Sequence, residues 1–600
     1  MEVMMCGIAG VLTVKSINNN IKERLFKIQK SLLGRGDDSR GGWVNNSNQI
    51  IFVHNRLAIQ DISSKGDQPQ TFNNLTIIYN GEVYNFKELR EQLKLYGYVF
   101  VSDCDTEVIL KAYDMWGKDM VSKLNGQFAF AIWDDNKREL FIARDRYGIN
   151  PLYYYFSEDE FWFSSSLPSL VKNIGKPHTL DQKSIYCFFS LQSIIPSPNT
   201  VFEEYKKLEH GHTATIKFIK NDSKIVFEDR EYYFPAFQYD YDRFSSVDET
   251  IKQVKEELLR AINYRMISST DVGIWLSGGL DSSLITAICY KEFGKSLSTF
   301  AIGFNSCRGE CGNEYDYSRY VAKKLNTKHE EVFVPDRLLN ETVKECLVNS
   351  NEPMMSNDYI GHYLLAKLTN EHGFKVALTG LGADEAWYGY SWHRDILNKK
   401  YNKDKMFRNT FTEYSRDFLG HFLNDKFMNT RYLDEFINSN CKKVIGSSFE
   451  FAVIEDLNLI MVEDPIKRAD SSGMSNRVEI RAPFLDHNLI DLSLKIPTEI
   501  KMNRNIGKYI LKKIAEEYFD SSFIYRQKGH FSVPLVKFAA NDIGVFCKKV
   551  ISKENCISRG VFKEEFIKEM IDNSNNSITD MGGNLLWQIA SLECWLQQFD

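Results

Sequence analysis

Ser277-Gly278-Gly279-Leu280-Asp281-Ser282-Ser283 decides how the rest of the chain is read. It follows a short apolar run, Val272-Gly273-Ile274-Trp275-Leu276, that reads as a buried strand, and it opens an apolar helix over residues 284–293. Strand, glycine-rich turn and helix start together form a phosphate cradle, because backbone N–H groups and the helix dipole converge on an anion there. The G-x-x-x-x-G-K-[ST] order of a Walker loop is absent. The plain alternative is a strand-to-helix turn that holds no ligand.

The chain around this turn alternates strand and helix. Ser246-Val247-Asp248-Glu249 reads as a capping box, and Ile251, Val254, Leu258 and Ile262 recur behind it at helical spacing. Residues 299–304 read as a second buried strand, 317–325 as a helix and 329–334 as a third strand. This order predicts a parallel sheet with helices on both faces, whose ligands sit at the carboxyl ends of the strands. Lys375-Val376-Ala377-Leu378-Thr379-Gly380-Leu381-Gly382-Ala383-Asp384-Glu385 repeats the pattern of strand, glycine-rich turn and carboxylate. One aspartate at such a turn could simply cap a helix. Asp281 and Asp384 on matched turns favour a shared cation.

The N-terminal third reads differently. Cys6-Gly7-Ile8-Ala9-Gly10-Val11 puts a cysteine before a small-residue strand. A cysteine at a free N-terminus carries nucleophile and base together, since its α-amine, with a pKa near ~8, accepts the thiol proton. Five residues precede Cys6, so the expectation is that either a start at Met5 or removal of a short leader exposes it. Arg56, at the end of His54-Asn55-Arg56-Leu57-Ala58-Ile59, suits a substrate α-carboxylate or a surface ion pair. Asn80 and Gly81, in Tyr79-Asn80-Gly81-Glu82-Val83-Tyr84-Asn85, suit an oxyanion hole or a hairpin turn. Asp105, opening an apolar helix, suits a substrate α-ammonium or an N-cap. Residues 127–133 alternate, turn at Asp134-Asp135-Asn136 and return over 139–143 as an antiparallel hairpin.

Six hundred residues are too many for one core. A formal net charge of -6 over this length points to no nucleic-acid or anionic-membrane surface. No apolar run spans a bilayer, and residues 1–6 lack the order of a signal peptide, so a cytoplasmic location is expected. The eleven cysteines are scattered, as suits reduced thiols. Cys307 and Cys311 form a lone C-x₃-C without a second pair, which argues against structural zinc.

The motifs together resemble the glutamine-hydrolysing asparagine synthetase family, which joins a class II glutamine amidotransferase domain to an ATP-pyrophosphatase synthetase domain. Cys-Gly-Ile-x-Gly resembles the start of the amidotransferase domain, and Ser-Gly-Gly-x-Asp-Ser the pyrophosphate loop. Residues 144–154 resemble the family's A-R-D-x-x-G-x-x-P-L-Y-Y, 375–385 its K-V-x-L-S-G-E-G-A-D-E, and Asp470 with 478–486 its E-x-R-x-P-F-L-D. Residues 525–534 resemble its R-x-K-x-G-F-x-x-P, with His530 beside Gly529. Beyond about Pro534 no motif is readable.

The resemblance implies an α/β chain of two domains. An N-terminal-nucleophile αββα sandwich over 6–219 would precede a linker, 220–241, and a parallel-sheet ATP-pyrophosphatase domain, 242–600. It implies catalysis by Cys6, Asn80, Gly81 and Lys528, and glutamine binding by Arg56, Asn80, Gly81, Glu82 and Asp105. ATP would lie on Leu276, Ser277, Gly278, Gly279, Asp281, Ser282, Ile302, Thr379 and Gly380, with Mg²⁺ on Asp281 and Asp384. The expected reaction releases ammonia from glutamine, adenylates a carboxylate and amidates it. Expected partners are glutamine and a carboxylate acceptor, aspartate or another small molecule; a homodimer is allowed, and neither nucleic acid nor membrane is expected. A non-aspartate acceptor, such as a sugar uronate, a peptide or a secondary metabolite, is the alternative within the family. A glutamine-binding protein or glutaminase with a degenerate second half is the alternative outside it.

Several positions depart from the pattern. H-R-G-P-D-D reads Gly34-Arg35-Gly36-Asp37-Asp38, without the stiffening proline. F-A-S-E reads Phe163-Ser164-Ser165-Ser166, without its carboxylate. Leu381 stands where the family has glutamate, and Tyr388 where it has glycine; both are expected to reshape the acceptor pocket.

Overall fold

The computed structural model describes residues 6–17, 21–32, 35–219, 223–306, 312–356, 358–399, 401–428, 430–527, 529, 542–572 and 584–600. Apolar alternation along the N-terminal strands folds them into two antiparallel sheets. The first runs in the order Tyr205–Lys207, Tyr153–Phe156, Glu160–Ser164, Gly7–Thr13, Ile50–Arg56, Ser39–Val44. The second runs Lys224–Glu231, His212–Ile219, Glu139–Arg144, Gly126–Asp134, Leu75–Val83, Gln70–Phe72. In Gly7–Thr13 the period of two sends Ile8 and Leu12 inward, where they meet Ile78, Ala131 and Trp133 of the second sheet. Ala9 and Val11 face outward with Ile28 and Leu170 of two covering helices. The helices Phe86–Leu95 and Asp105–Trp116 cover the far face of the second sheet. This is the expected four-layer sandwich.

Lys224–Glu231 falls inside the stretch expected to be linker. Its pairing with His212–Ile219 over eight register positions corrects that boundary: the irregular connection starts only after Glu231. Charge and aromatic content disguised an edge strand whose outer face is solvated.

The helix Val247–Arg265 then begins on Ser246, whose hydroxyl accepts from the Glu249 N–H at 3.4 Å. Five parallel strands follow in the order Lys328–Val334, Ser298–Phe304, Val272–Trp275, Val376–Leu378, Glu479–Arg481. Val272–Trp275 lies at the centre, and Val376–Leu378 pairs directly beside it. The two glycine-rich turns therefore emerge side by side at one end of the sheet. The other end, at Val272 and Val376, abuts the sandwich: both side chains pack in one cluster with Cys6, Leu57, Ile59 and Met474.

Candidate active sites

Cys6 precedes the first strand. Its thiol accepts from the Leu57 N–H at 3.1 Å and lies 3.4 Å from the Leu57 carbonyl. Burial pushes the thiol up to about 12, with Glu479 and Glu82 adding to the rise and Arg56 opposing it. Such a thiol does not ionise unaided at neutral pH and needs a base.

Asn80 and Gly81 lie within the strand Leu75–Val83, opposite Ala129 and Phe128, so the hairpin-turn alternative is excluded. Gly81 has φ +142°, and a Cβ there would meet the Gln127 carbonyl oxygen at 2.1 Å; only glycine fits. The Asn80 Nδ2 is buried and lacks a partner among the described residues. Its carbonyl accepts from Asn150 Nδ2 at 3.0 Å, which fixes the backbone beside it.

Arg56 is buried rather than a surface ion pair. Its guanidinium donates to the Ser63 carbonyl at 2.9 Å, to Asp67 at 2.8 Å and to the Gln60 carbonyl at 3.1 Å. Asp105 is the first residue of its helix; Cys104 is the N-cap. The Asp105 carboxylate accepts from the Tyr79 hydroxyl at 2.7 Å and the Val83 N–H at 2.9 Å. Burial raises it to about 6 in spite of those bonds. Glu82 is also buried, accepts from Gln60 Nε2, and lies 3.3 Å from the Arg481 guanidinium of the parallel-sheet half.

At the other end of the parallel sheet, Gly278 has φ +83°, and a Cβ there would meet Tyr317 Cβ at 2.7 Å and the Ser318 nitrogen at 2.8 Å. The turn thus needs glycine to pass the helix Tyr315–Lys324. The Ser277 hydroxyl accepts from the Gly279 N–H at 3.2 Å and contacts the Ser282 hydroxyl at 3.1 Å. A cavity of about 340 Å³ is lined by Leu276, Ser277, Gly279, Asp281 and Ser282 on one side. Ile302, Thr379, Gly380, Leu381 and Asp384 close it on another. A larger cavity of about 830 Å³ adjoins it, sharing Ser277, Gly279, Asp281 and Asp384.

Asp281 and Asp384 converge on one cation. The Lys508 ammonium lies 2.6 Å from Asp281 and 2.7 Å from Asp384, and burial is outweighed by the two carboxylates, which raise its pKa. Two carboxylates that share one ammonium are placed to share a divalent ion, so the residues fit Mg²⁺. Lys508 itself went unread in the sequence, where nothing separates it from Lys512 and Lys513 on the same stretch. It takes its place through a left-handed backbone (φ +54°) at the start of the helix Tyr509–Ala515. Arg468 and Glu385 also line the smaller cavity and were not singled out. Glu385 is buried, accepts from the Tyr390 hydroxyl at 2.5 Å and is raised by burial and by Asp384 to about 8.

Tyr388 lines the larger cavity, and its ring is fully buried, packed edge-on against His393 and Phe449 with the Lys501 ammonium 4.2 Å from its centre. A left-handed backbone at Tyr388 (φ +62°) accompanies that placement. Lys528, read as a catalytic cation, lies outside the described residues, as do Gly34, Cys307, Cys311, His530 and the 531–534 stretch.

The two sites are joined by one helix. Lys467–Met474 carries Arg468 at the cavity and Met474 at the Cys6 cluster, about 9 Å apart along its axis. Buried polar pairs cross the junction around it: Arg35 with Asp470, Lys207 with Glu463 at 2.6 Å, and Asn125 with Asp486 at 3.0 Å. No helix among the described residues is long and apolar enough to cross a membrane.

Comparison with known proteins gives two family matches. The family described as asparagine synthase matches residues 253–597, and the glutamine amidotransferase domain matches residues 5–233. The chain is 29% identical to the glutamine-hydrolysing asparagine synthetase 1 of Bacillus subtilis, over 98% of this chain and 96% of that protein. It is 26% identical to asparagine synthetase 3 of the same organism, over 99% of each. It is also 24% identical to the amidase chry2 of Gibberella zeae, over 95% of each.

Proposed function

The chain belongs to the glutamine-hydrolysing asparagine synthetase family, and from that premise we propose that it is a glutamine- and ATP-dependent, AMP-forming amide synthetase, with aspartate as the first acceptor to consider. The observation that carries the reading is the convergence of Asp281 and Asp384 on Lys508 behind the pyrophosphate loop, joined by a single helix to Cys6. The first half runs through Glu231 and the second from Val247.

With Cys6 at the N-terminus of the working protein, its α-amine takes the thiol proton and the sulfur attacks the glutamine amide carbon. Asn80 Nδ2 and the Gly81 N–H donate to the oxyanion. Arg56 and Asp105 hold the α-carboxylate and α-ammonium, with Glu82 beside them. Ammonia leaves, and water releases glutamate from the thioester.

At the second site the acceptor carboxylate attacks the α-phosphorus of ATP and pyrophosphate departs. The Ser277–Ser282 turn holds the phosphates by backbone N–H groups and hydroxyls, and Leu276, Ile302, Thr379 and Gly380 flank the nucleoside. Asp281 and Asp384 would hold Mg²⁺, which supplies neutralisation of phosphate charge when bound. Lys508 adds positive charge at the same place, and Lys528 is assigned to the same reacting centre. Ammonia then attacks the acyl carbon and AMP leaves.

Leu381 favours a second reading of the acceptor. It lines the cavity where the family has a glutamate, and it can neither orient an ammonium nor accept a proton. A carboxylate other than that of aspartate is the reading it supports. ATP–pyrophosphate exchange, run with aspartate, uronates and peptide carboxylates in turn, decides between acceptors. Exchange with none of them, alongside intact glutamine hydrolysis, would leave a glutaminase with a degenerate second half and overturn the proposal.

A further inference from the structure

The closing segment 584–600 carries no readable motif, yet it touches the sandwich and a buried irregular segment of the second half that faces it. Asn584 Oδ1 accepts from the Trp587 N–H at 3.1 Å and starts the helix Leu585–Leu596, which is buried along its whole length. The Trp587 indole N–H donates to the Met355 carbonyl at 2.8 Å, and the Trp595 indole N–H donates to the Ser350 carbonyl at 3.0 Å. Residues 350–355 are buried and irregular, between the helices Asp336–Val348 and Asp358–Glu371, so their carbonyls have no ladder to join and need partners from elsewhere. The two tryptophans supply partners for the first and the last of them.

The same short segment holds the domain junction. Asn351 Nδ2 donates to Asp470 at 2.9 Å, and Asp470 pairs with Arg35 of the sandwich. Glu352, fully buried, takes Lys207 of the sandwich and Lys467 at 3.2 Å each. Lys467 and Asp470 lie on the helix that spans the two sites. Beyond the terminal helix, the Phe599 ring meets Phe202 of the sandwich at 5.3 Å.

We propose that the terminal helix is a positioning element for ammonia delivery. Trp587 and Trp595 fix residues 350–355, so that Asn351 and Glu352 keep the sandwich in register with the helix Lys467–Met474. That register routes ammonia freed at Cys6 to the acyl acceptor instead of to bulk water. The inference rests on the glutamine-dependent reading given above.

The test uses the full chain with the carboxylate that supports its ATP–pyrophosphate exchange as acceptor. Trp587→Phe combined with Trp595→Phe replaces each indole by a smaller aromatic ring and removes both donors; Asn351→Ala breaks the next link separately. Glutamate released per pyrophosphate should rise about fivefold in Asn351→Ala, the shift that one ordinary buried hydrogen bond supports, and by at least as much in the double variant, which loses two. Glutaminase turnover and ammonia-dependent pyrophosphate release should stay at the wild-type level. An unchanged ratio, or a parallel fall in all three rates, would overturn the proposal. Hydrogen–deuterium exchange supplies a reading that needs no acceptor. Faster exchange over 467–474 in both variants is expected, and unchanged protection there would overturn the inference even if the wild type amidates that carboxylate well. A wild type that releases no pyrophosphate with any carboxylate instead overturns the function proposed above, and the exchange data then judge the positioning claim by themselves.

Discussion

The two sites lie at opposite ends of one parallel sheet and are built in opposite ways. Around Cys6 the functional groups belong to strands and their immediate ends, with Asp105 at the start of a helix. They are buried and already bonded: Arg56 to backbone carbonyls and Asp67, Asp105 to Tyr79, Glu82 to Gln60 and Arg481. Around Asp281 they sit on glycine-rich turns and the helix starts behind them, with carboxylates gathered on one lysine and open to a large cavity. The first arrangement suits a small fixed substrate whose charges replace existing bonds. The second suits a large polyanion, whose arrival with a metal ion redistributes the charge that Lys508 now balances.

The largest expected effect separates the two ends outright. Cys6→Ala should abolish glutamine-dependent synthesis, a loss of roughly 10³-fold or more, and leave ammonia-dependent synthesis intact. Asp384→Asn should do the reverse, lowering ATP–pyrophosphate exchange by roughly 10²–10³-fold with glutamine hydrolysis retained. Steady-state assays with either nitrogen source check both. Loss of adenylation in the cysteine variant would mean that the two ends are one site.

A smaller effect sharpens the acceptor side. A missing acid–base group costs roughly 10²–10⁴-fold. Leu381→Glu should therefore raise asparagine formation from aspartate and ample ammonia, measured by AMP release, by part of that factor. Efficient aspartate amidation by the unaltered chain would show that Leu381 does not discriminate.

The smallest effect is a pH dependence at the glutamine end alone. Burial raises Asp105 to about 6. Its carboxylate attracts the substrate ammonium only when ionised, so affinity should be full above that value and fall as pH drops through it. KM for glutamine should rise about tenfold for each unit below the apparent pKa, while KM for ATP stays level over the same range. Equal movement of both constants would place the titrating group elsewhere.

The strand-and-turn grammar of the second half was legible because each element repeats one local rule: an apolar run, a glycine where the backbone must take positive φ, then a helix start. Gly278 is readable in this way, since its backbone angle and close contacts admit no side chain. How the Tyr388 ring packs, from a left-handed backbone against His393 and Phe449, is not written in its neighbours. Lys224–Glu231 was misread because an edge strand with a wet face carries little apolar signal. Lys508 and the terminal tryptophans were invisible for a common reason. Each acts through partners hundreds of residues away, as in Lys508 to Asp281 or Trp595 to Ser350. A lysine, an arginine or a tryptophan looks alike on paper whether it faces solvent or satisfies a buried carboxylate or carbonyl. Local backbone chemistry is written in adjacent residues, so the sequence alone determined the turns, the strands and the order of the two halves. Which distant charges meet is settled by how the sheets stack, so only the tertiary structure could decide it.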